Sequence, residues 1–407
     1  MPPLALVGCY TRCVPRVFPF EGLTYAEIAG PLDQVTAPPY DVISDARRRE
    51  YLLGSPYSVV HLDLAEGSED PTDPGNRYER AAGCLEEWQR KGALLRAPTP
   101  RYYAYEMAFT IDDAPRRIRG LFLALSLEPW GAGVIPHERT MPGPIEDRLN
   151  LLRATRTHLS AVYGTIAGPS VPLGELLEEV TASTPTHDTT DERSVRHRMW
   201  TVPVHPEIAT WFADAPVLIA DGHHRYTTAL RYRDEMHAQH GPGPWDRVLA
   251  LLVDAAAEHL PVLPFHRLQL TGTVPTGGAE VASLADALQA VSDDPPVVAA
   301  VTRGPDGPRY AVVHLTGGPP AVRALHDERL RAATAAGDLA FTPSSDDALA
   351  AVSSGRAVAA WLLPATTPER IRDVVERGER LPQKSTYFWP KPRTGMVMMP
   401  VDDASPE

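Results

Sequence analysis

Three features of the sequence predict an α+β fold in which strands and helices mix closely. Short apolar runs rich in branched residues, such as Val217-Leu218-Ile219-Ala220 and Val248–Val253, each end in an aspartate. Such runs have the length and composition of buried strands. Segments with apolar residues at helical spacing, such as Tyr78–Gln89, lie between them. Finally, 42 prolines and 29 glycines punctuate the 407 residues, which favours many short elements over a helical bundle. With 43% hydrophobic residues the chain can bury a sizeable core, and its length suits two or three domains or one elaborate one.

Taken in order, Ala37-Pro38-Pro39-Tyr40-Asp41-Val42-Ile43 begins extended, because two prolines fix the backbone ahead of Tyr40 and Asp41. Ser44 or Asp45 caps a helix carrying Arg47, Arg48 and Arg49. Tyr57–Leu64 reads as a strand with Asp63 near its end, and Glu66–Asn76 as an acidic loop. Tyr78–Gln89 is an amphipathic helix with Ala81, Ala82, Leu85 and Trp88 on one face. Tyr102–Phe109 and Arg119–Leu127 form a hairpin across Asp112-Asp113-Ala114-Pro115. Ile145–Ala154 is a helix with Leu149 and Leu152 inward and Asp147, Arg148 and Arg153 on its polar side. Leu159–Ile166 and Val195–Val204 read as strands, Thr181–Glu192 as a surface loop and Pro206–Phe212 as a short helix. After Arg247–Asp254 an extended stretch, His259–Leu270, leads to a shift in composition near Thr271. Beyond it, Val297–Thr302 and Arg309–Leu315 pair, Ala321–Ala336 and Ala348–Val352 are helical, and Ala357–Leu363 is a strand. Thr367 then caps a last helix that has Pro368 at its first position. These boundaries divide the chain into a core over 1–270, a small α/β domain over 271–380 and a C-terminal segment over 381–407.

Composition narrows the function. Thirty-nine basic against 52 acidic residues give a net charge of −13, which disfavours nonspecific binding to nucleic acid or anionic membranes. No apolar run is long enough to span a membrane, and Met1–Phe20 has no continuous apolar core of the signal-peptide kind. Three cysteines, Cys9, Cys13 and Cys84, make no disulfide framework, so a reducing cytoplasm is expected.

The most pointed stretch is Ala215–Leu230: apolar run, Asp221-Gly222-His223-His224-Arg225, then Tyr226, Ala229 and Leu230 at helical spacing. A strand, a tight turn and a helix N-terminus follow one another there. Unpaired N–H groups and the helix dipole favour an anion at such a corner. Gly222 permits close backbone approach. Arg225 supplies a planar donor fork, and His223 and His224 supply donors whose charge is adjustable near neutral pH. A phosphate or carboxylate seat, a purely structural turn and a metal site are the three readings of this chemistry. His137-Glu138-Arg139-Thr140 suits acid–base work or is an exposed charged loop. The tail Leu381–Gly395 interleaves Lys384, Ser385, Thr386 and Lys391 with aromatics. It reads as a ligand-holding loop or as a strand whose aromatics cap a core.

These motifs occur in one order along the chain. Ala37–Ile43, His137–Thr140, Asp147-Arg148-Leu149, Asp221–Tyr226 and Lys384–Phe388 together resemble the prokaryotic family known as domain of unknown function ten-fifteen. That family looks similar to free-serine kinases of the ParB/sulfiredoxin-like superfamily. The resemblance implies a ParB/sulfiredoxin-like nucleotide-binding core with a smaller C-terminal α/β layer, and phosphates held by Asp221, Gly222, His223, His224 and Arg225. No helix-turn-helix segment with a basic face accompanies it, so a chromosome-partitioning role is not expected.

The leading expectation is a kinase that moves a phosphoryl group from ATP or ADP to a metabolite hydroxyl, free L-serine first, with Mg²⁺ as cofactor. Asp41 or Glu138 would orient or deprotonate the hydroxyl, with His137 beside it. Lys384 would neutralise developing charge, and Ser385 and Thr386 would donate to phosphate. Asp63, Asp254 or Asp221 would hold the metal, directly or through water. The partners are then a nucleotide and a small molecule, with room for a homodimer. The alternatives are a nucleotide-gated switch without metabolite chemistry, and a metal-dependent hydrolase built on His137, Glu138, His223 and His224.

Overall fold

The hairpin is the longest strand pair in the first unit, and a sheet grows from it. Tyr102–Ile111 and Ala114–Ser126 pair antiparallel, with Tyr103 opposite Phe122 and Tyr105 opposite Gly120. The computed structural model describes residues 15–111, 113–139, 142–166, 172–213, 216–255, 257–274 and 277–401. Cys9, Cys13, Asp112, Thr140 and Ala215 lie outside the described residues.

The chain forms two compact units: Met1–Pro136, Met141–Leu260 and Pro390–Glu407 make the first, and His137–Thr140 with Pro261–Trp389 the second. The first holds a nine-stranded mixed sheet in the order Val134–Ile135, Val217–Asp221, Val162–Ile166, Arg247–Asp254, Ala114–Ser126, Tyr102–Ile111, Arg196–Val202 and His187–Thr190. Val17–Phe18 adds to Ala114–Ser126 off this path. Arg247–Asp254 lies in the middle and is buried on both faces after its first residue. That explains an apolar run without alternation. Its neighbour Val162–Ile166 runs parallel to it, while Ala114–Ser126 is antiparallel. Gly164 is needed where three strands crowd: a Cβ there would stand 2.7 Å from Val217 Cγ1.

Helices of the first unit begin where their caps predict. Ser44 Oγ accepts from Arg47 N ahead of Asp45–Gly54, and Asn76 accepts from Tyr78 N and Glu79 N ahead of Arg77–Arg90. The latter presents Tyr78, Ala81, Leu85 and Trp88 to a core shared with Val59, Val60 and Leu62. Pro142–Thr155 packs between Arg77–Arg90 and His223–His240.

Three expectations are corrected. Tyr57–Leu64 is not a strand: Val60–Asp63 is a short helical turn, and His61 N donates to Ser58 O. Val59, Val60 and Leu62 are all buried, and a short apolar run fits a buried turn as well as a buried strand. Thr181–Glu192 is not wholly loop, because His187–Thr190 forms an edge strand on Arg196–Val202. Arg148 is not on an exposed polar face: it is 6% exposed, because its carboxylate partners are also inside.

The second unit carries a seven-stranded sheet ordered Ala279–Val281, Gly307–His314, Pro296–Gly304, Ala359–Leu362, His266–Gln269 and Leu339–Thr342, with Ser292–Asp293 on Pro296–Gly304. Ala299, Val301, Ala360 and Leu362 face a core closed by Ala287 of Leu284–Ala290 and by Ala348, Ala351 and Val352 of Ser345–Ser353. Thr367 caps Pro368–Glu376, as expected. Ala321–Ala336 is helical but widens to a π turn at His326–Leu330. Thr386–Phe388 pairs with Val262–Pro264, and Tyr387 and Phe388 are buried. No helix among the described residues is long and apolar enough to cross a membrane.

Candidate functional site

The corner after Val217–Asp221 is shaped by a register shift. Ile219 pairs with Gly164, but Asp221 pairs with Tyr163, so Ala220 is an extra residue in the strand. A bulge of this kind re-aims the side chains that follow it. Gly222 then takes φ 93°, ψ 28°, the left-handed region, and His223–His240 begins immediately after it. Glycine is required there twice over. The conformation disfavours other residues, and a Cβ would stand 3.0 Å from the Arg225 guanidinium carbon.

Arg225 folds back over that glycine. Its guanidinium donates to the Asp221 carboxylate and to the Ala161 carbonyl. Lys391, with a side chain 5% exposed, donates to the other Asp221 oxygen at 2.5 Å and lies 3.7 Å from Asp41. Asp221 therefore sits between two cations, each of which reaches a further oxygen. Such buried pairs are strongly coupled, and losing one partner strands the other.

A second charged group is built nearby in the chain's fold. Arg148 donates to Asp63 at 2.6 Å and makes two hydrogen bonds to Asp147, at 2.6 and 2.8 Å. Its guanidinium lies 4.3 Å from the centre of the Tyr40 ring. Asp147 also receives Arg77 and, at 2.9 Å, the Tyr78 hydroxyl. Burial outweighs Arg148 at Asp63 and holds that carboxyl above its usual range. The cations acting on Asp147 outweigh its own desolvation and hold it below that range. A cavity of about 40 Å³ is lined by Asp63, Arg148, Arg225, Ser160 and Thr228; that is room for water, not for a nucleotide.

The histidines of the turn differ. His223 is 2% exposed and its ring stacks on Trp130, with centroids 6.1 Å apart. His224 is only half-buried. The two imidazoles of the turn therefore differ in exposure.

In the second unit, His137, Glu138, Ser385 and Thr386 come together, although almost 250 residues separate the two pairs in sequence. His137 is fully buried, and its Nε2 lies 2.7 Å from Thr386 Oγ1. Glu138 accepts from Ser385 N at 3.2 Å, and the Ser385 hydroxyl donates to Pro382 O at 2.6 Å. Lys384 takes φ 53° and lies 5.5 Å from the Phe265 ring centre. Arg267 is buried beneath this segment and donates to the carbonyls of Lys384 and Gln383. Burial pushes its guanidinium down to about 9.

Asp63 and Asp254, the candidate metal ligands, are both buried. Asp63 is committed to Arg148, and Asp254 is buried at the end of its strand opposite Ile166. Among the described residues no group of three or more His, Cys, Asp or Glu is arranged to hold a metal ion. Sequence reasoning missed Arg77 and the buried role of Arg148. It also missed the relay in which the Tyr105 hydroxyl meets His197 Nδ1 at 2.7 Å and His197 Nε2 meets Asp191 at 3.1 Å. A buried arginine has the same one-letter signal as a surface arginine, so only its packed partners reveal it.

A family profile described as Protein of unknown function (DUF1015) matches residues 17–318. The chain belongs to that family. No curated protein sequence matches it. Among solved structures it is similar to a free serine kinase in complex with AMP, at 15% identity and a TM-score of 0.38, covering 66% of this chain and 86% of that one. It is also similar to a conserved hypothetical protein from Pyrococcus furiosus, at 16% identity and a TM-score of 0.37, covering 67% and 93%. A C-terminally truncated SbnI from Staphylococcus aureus matches at 11% identity and a TM-score of 0.35, covering 67% and 85%.

Proposed function

We propose that this protein is a nucleotide-dependent phosphotransferase acting on the hydroxyl of a small metabolite, with free L-serine to O-phosphoserine as its reaction. The observation that carries the reading is the corner at Asp221–Arg225. A bulged strand end, a left-handed glycine and the N-terminus of an 18-residue helix stand together with Arg225 and Lys391. Phosphoryl transfer is catalysed chiefly by positioning and by compensating charge on phosphate oxygens. A helix N-terminus flanked by two cations supplies both.

In this reading the Gly222 backbone, His224 and Arg225 hold phosphate, and Lys391 adds a point charge. Asp221 keeps both cations aimed while no phosphate is present. His223, stacked on Trp130, fixes the turn and does not itself touch the ligand. Asp41, which lies 3.7 Å from Lys391, orients the acceptor hydroxyl. Nucleotide phosphates bring Mg²⁺ with them in the assay; Asp63 serves Arg148.

The test incubates the purified full-length protein with ATP or ADP, Mg²⁺ and L-serine, and measures O-phosphoserine by mass spectrometry. Product is expected with at least one donor. No product above background with either donor rejects the reading. Asp41→Asn should slow turnover while nucleotide affinity holds, and turnover equal to the parent's would remove Asp41 from that role.

One observation favours a second reading. Asp221 already satisfies both Arg225 and Lys391, as expected of a nucleotide-gated switch at rest. Tight nucleotide binding with no phosphorylated product from a metabolite panel would select it. The hydrolase reading has no metal-holding group among the described residues to rest on.

A further inference from the structure

The sheet of the second unit has a feature that the phosphotransferase reading does not use. Pro296–Gly304 and Gly307–His314 pair so that Ala300 faces Ala311 and Thr302 faces Arg309. Ala357, Gly277, Gly278 and Gly355 continue this run of small residues, and together they border a cavity of about 610 Å³. That volume lies within the roughly 300–1,000 Å³ usual for small-molecule sites. Ala300, Ala311 and Ala357 give it apolar wall, and Glu280, Thr302, Arg303 and Arg309 line it as well.

Two arginines border this hollow, and neither is tightly paired. Arg303 lies over Gly355, where a Cβ would stand 3.1 Å from its Nη1. Its guanidinium makes no hydrogen bond or ion pair among the described residues. Arg309 lays its stem over Gly304, where a Cβ would stand 2.9 Å from its Cγ. Its carboxylate partner Glu280 is 3.8 Å away, and both side chains are exposed. Loose exposed pairs of this kind contribute little. The half-buried Tyr310 hydroxyl also has no hydrogen-bond partner among the described residues. Two guanidiniums, one carboxylate and a tyrosine thus border the hollow in a chain of net charge −13.

We propose that this hollow binds a small organic oxyanion, a carboxylate or monophosphate carried on a flat apolar body, with Arg303 and Arg309 clamping the oxyanion. The forked guanidinium matches either oxyanion in a bidentate geometry. The alanines and glycines leave a slot for the body, and Thr302 and Tyr310 add hydroxyl contacts at its edge.

The experiment is isothermal titration calorimetry on the full chain with phenyl phosphate and with benzoate. Benzyl alcohol is the uncharged control and inorganic phosphate the bodiless one. At least one of the two aromatic oxyanions is expected to bind well ahead of both controls. Arg303→Ala and Arg309→Ala should each weaken it about ten-fold, the value of one charged hydrogen bond near 1.4 kcal/mol. Neither variant should alter folding, since both side chains are exposed. Repeating the titration with Arg225→Ala separates this site from the first unit, because binding here should be unchanged by that substitution. The proposal is overturned if neither aromatic oxyanion binds at millimolar concentration, if benzyl alcohol binds as well, or if the double variant R303A/R309A binds like the parent.

Discussion

Replacing Arg148 by methionine tests the buried charge cluster most directly. Arg148 is 6% exposed and Asp63 is 4% exposed. They meet at 2.6 Å, and the second Asp63 oxygen has no hydrogen-bond partner among the described residues. Asp147 would keep Arg77 and the Tyr78 hydroxyl after the substitution, so the damage falls on Asp63. Breaking a buried pair by removing one partner costs about 3–5 kcal/mol, because a charge is left uncompensated. The upper part of that range is expected here, since Asp63 already lies above the usual carboxylate range with Arg148 present. The sign with pH follows. A folded carboxyl with a raised pKa binds its proton more readily than the unfolded one. Acidification through the window between the two values therefore favours the folded state at this site, and the deficit of Arg148→Met should shrink from pH 7 to pH 5. Urea denaturation followed by tryptophan fluorescence reads this, because Trp88 shares the hydrophobic cluster of Leu62. Asp63→Asn placed on Arg148→Met should restore most of the loss, with a coupling of about 2 kcal/mol or more in the double-mutant cycle. A loss below about 1 kcal/mol, a deficit equal at both pH values, or simple additivity would refute the reasoning.

Other consequences follow from the same structure. Gly222→Ala forces a Cβ into the left-handed region and against Arg225; a stability loss of about 1–2 kcal/mol is expected together with weaker nucleotide binding, and an unchanged Tm would contradict it. Arg225→Ala should weaken nucleotide binding by about 1.5–3 kcal/mol, measured by calorimetry, and unchanged affinity in a folded variant would make the turn structural. His266 is buried, accepts from Leu363 N through Nδ1 at 3.2 Å, and is pushed down to about 4 chiefly by burial and then by Arg267. Its folded value lies below the unfolded one, so stability should fall as pH drops from about 6.5 toward 4, by about 2 kcal/mol at pH 5. His266→Gln should flatten that slope in urea titrations, and an identical slope would remove His266 as the cause. Gly164→Val overpacks the crossing of three strands, where even a Cβ stands 2.7 Å from Val217 Cγ1; at least about 1–3 kcal/mol should be lost, read from the denaturation midpoint.

Local chemistry was enough for much of this protein. The Arg247–Asp254 strand, the hairpin beginning at Tyr102, the caps at Ser44 and Thr367, and the strand–glycine–helix corner at Asp221–Arg225 were all legible in the sequence. In each, neighbours within a few residues carry the determining interaction: backbone φ, cap hydrogen bond, or period of burial. Tertiary structure alone decided which charges meet. Nothing near Lys391 in sequence says that Asp221 lies 2.5 Å away. Nothing near Arg148 says that its charge is buried against Asp63, and nothing near Tyr57–Leu64 says that its apolar run turns as a helix. Coulomb energy depends on distance and on exclusion of water, and neither quantity exists until remote segments have packed.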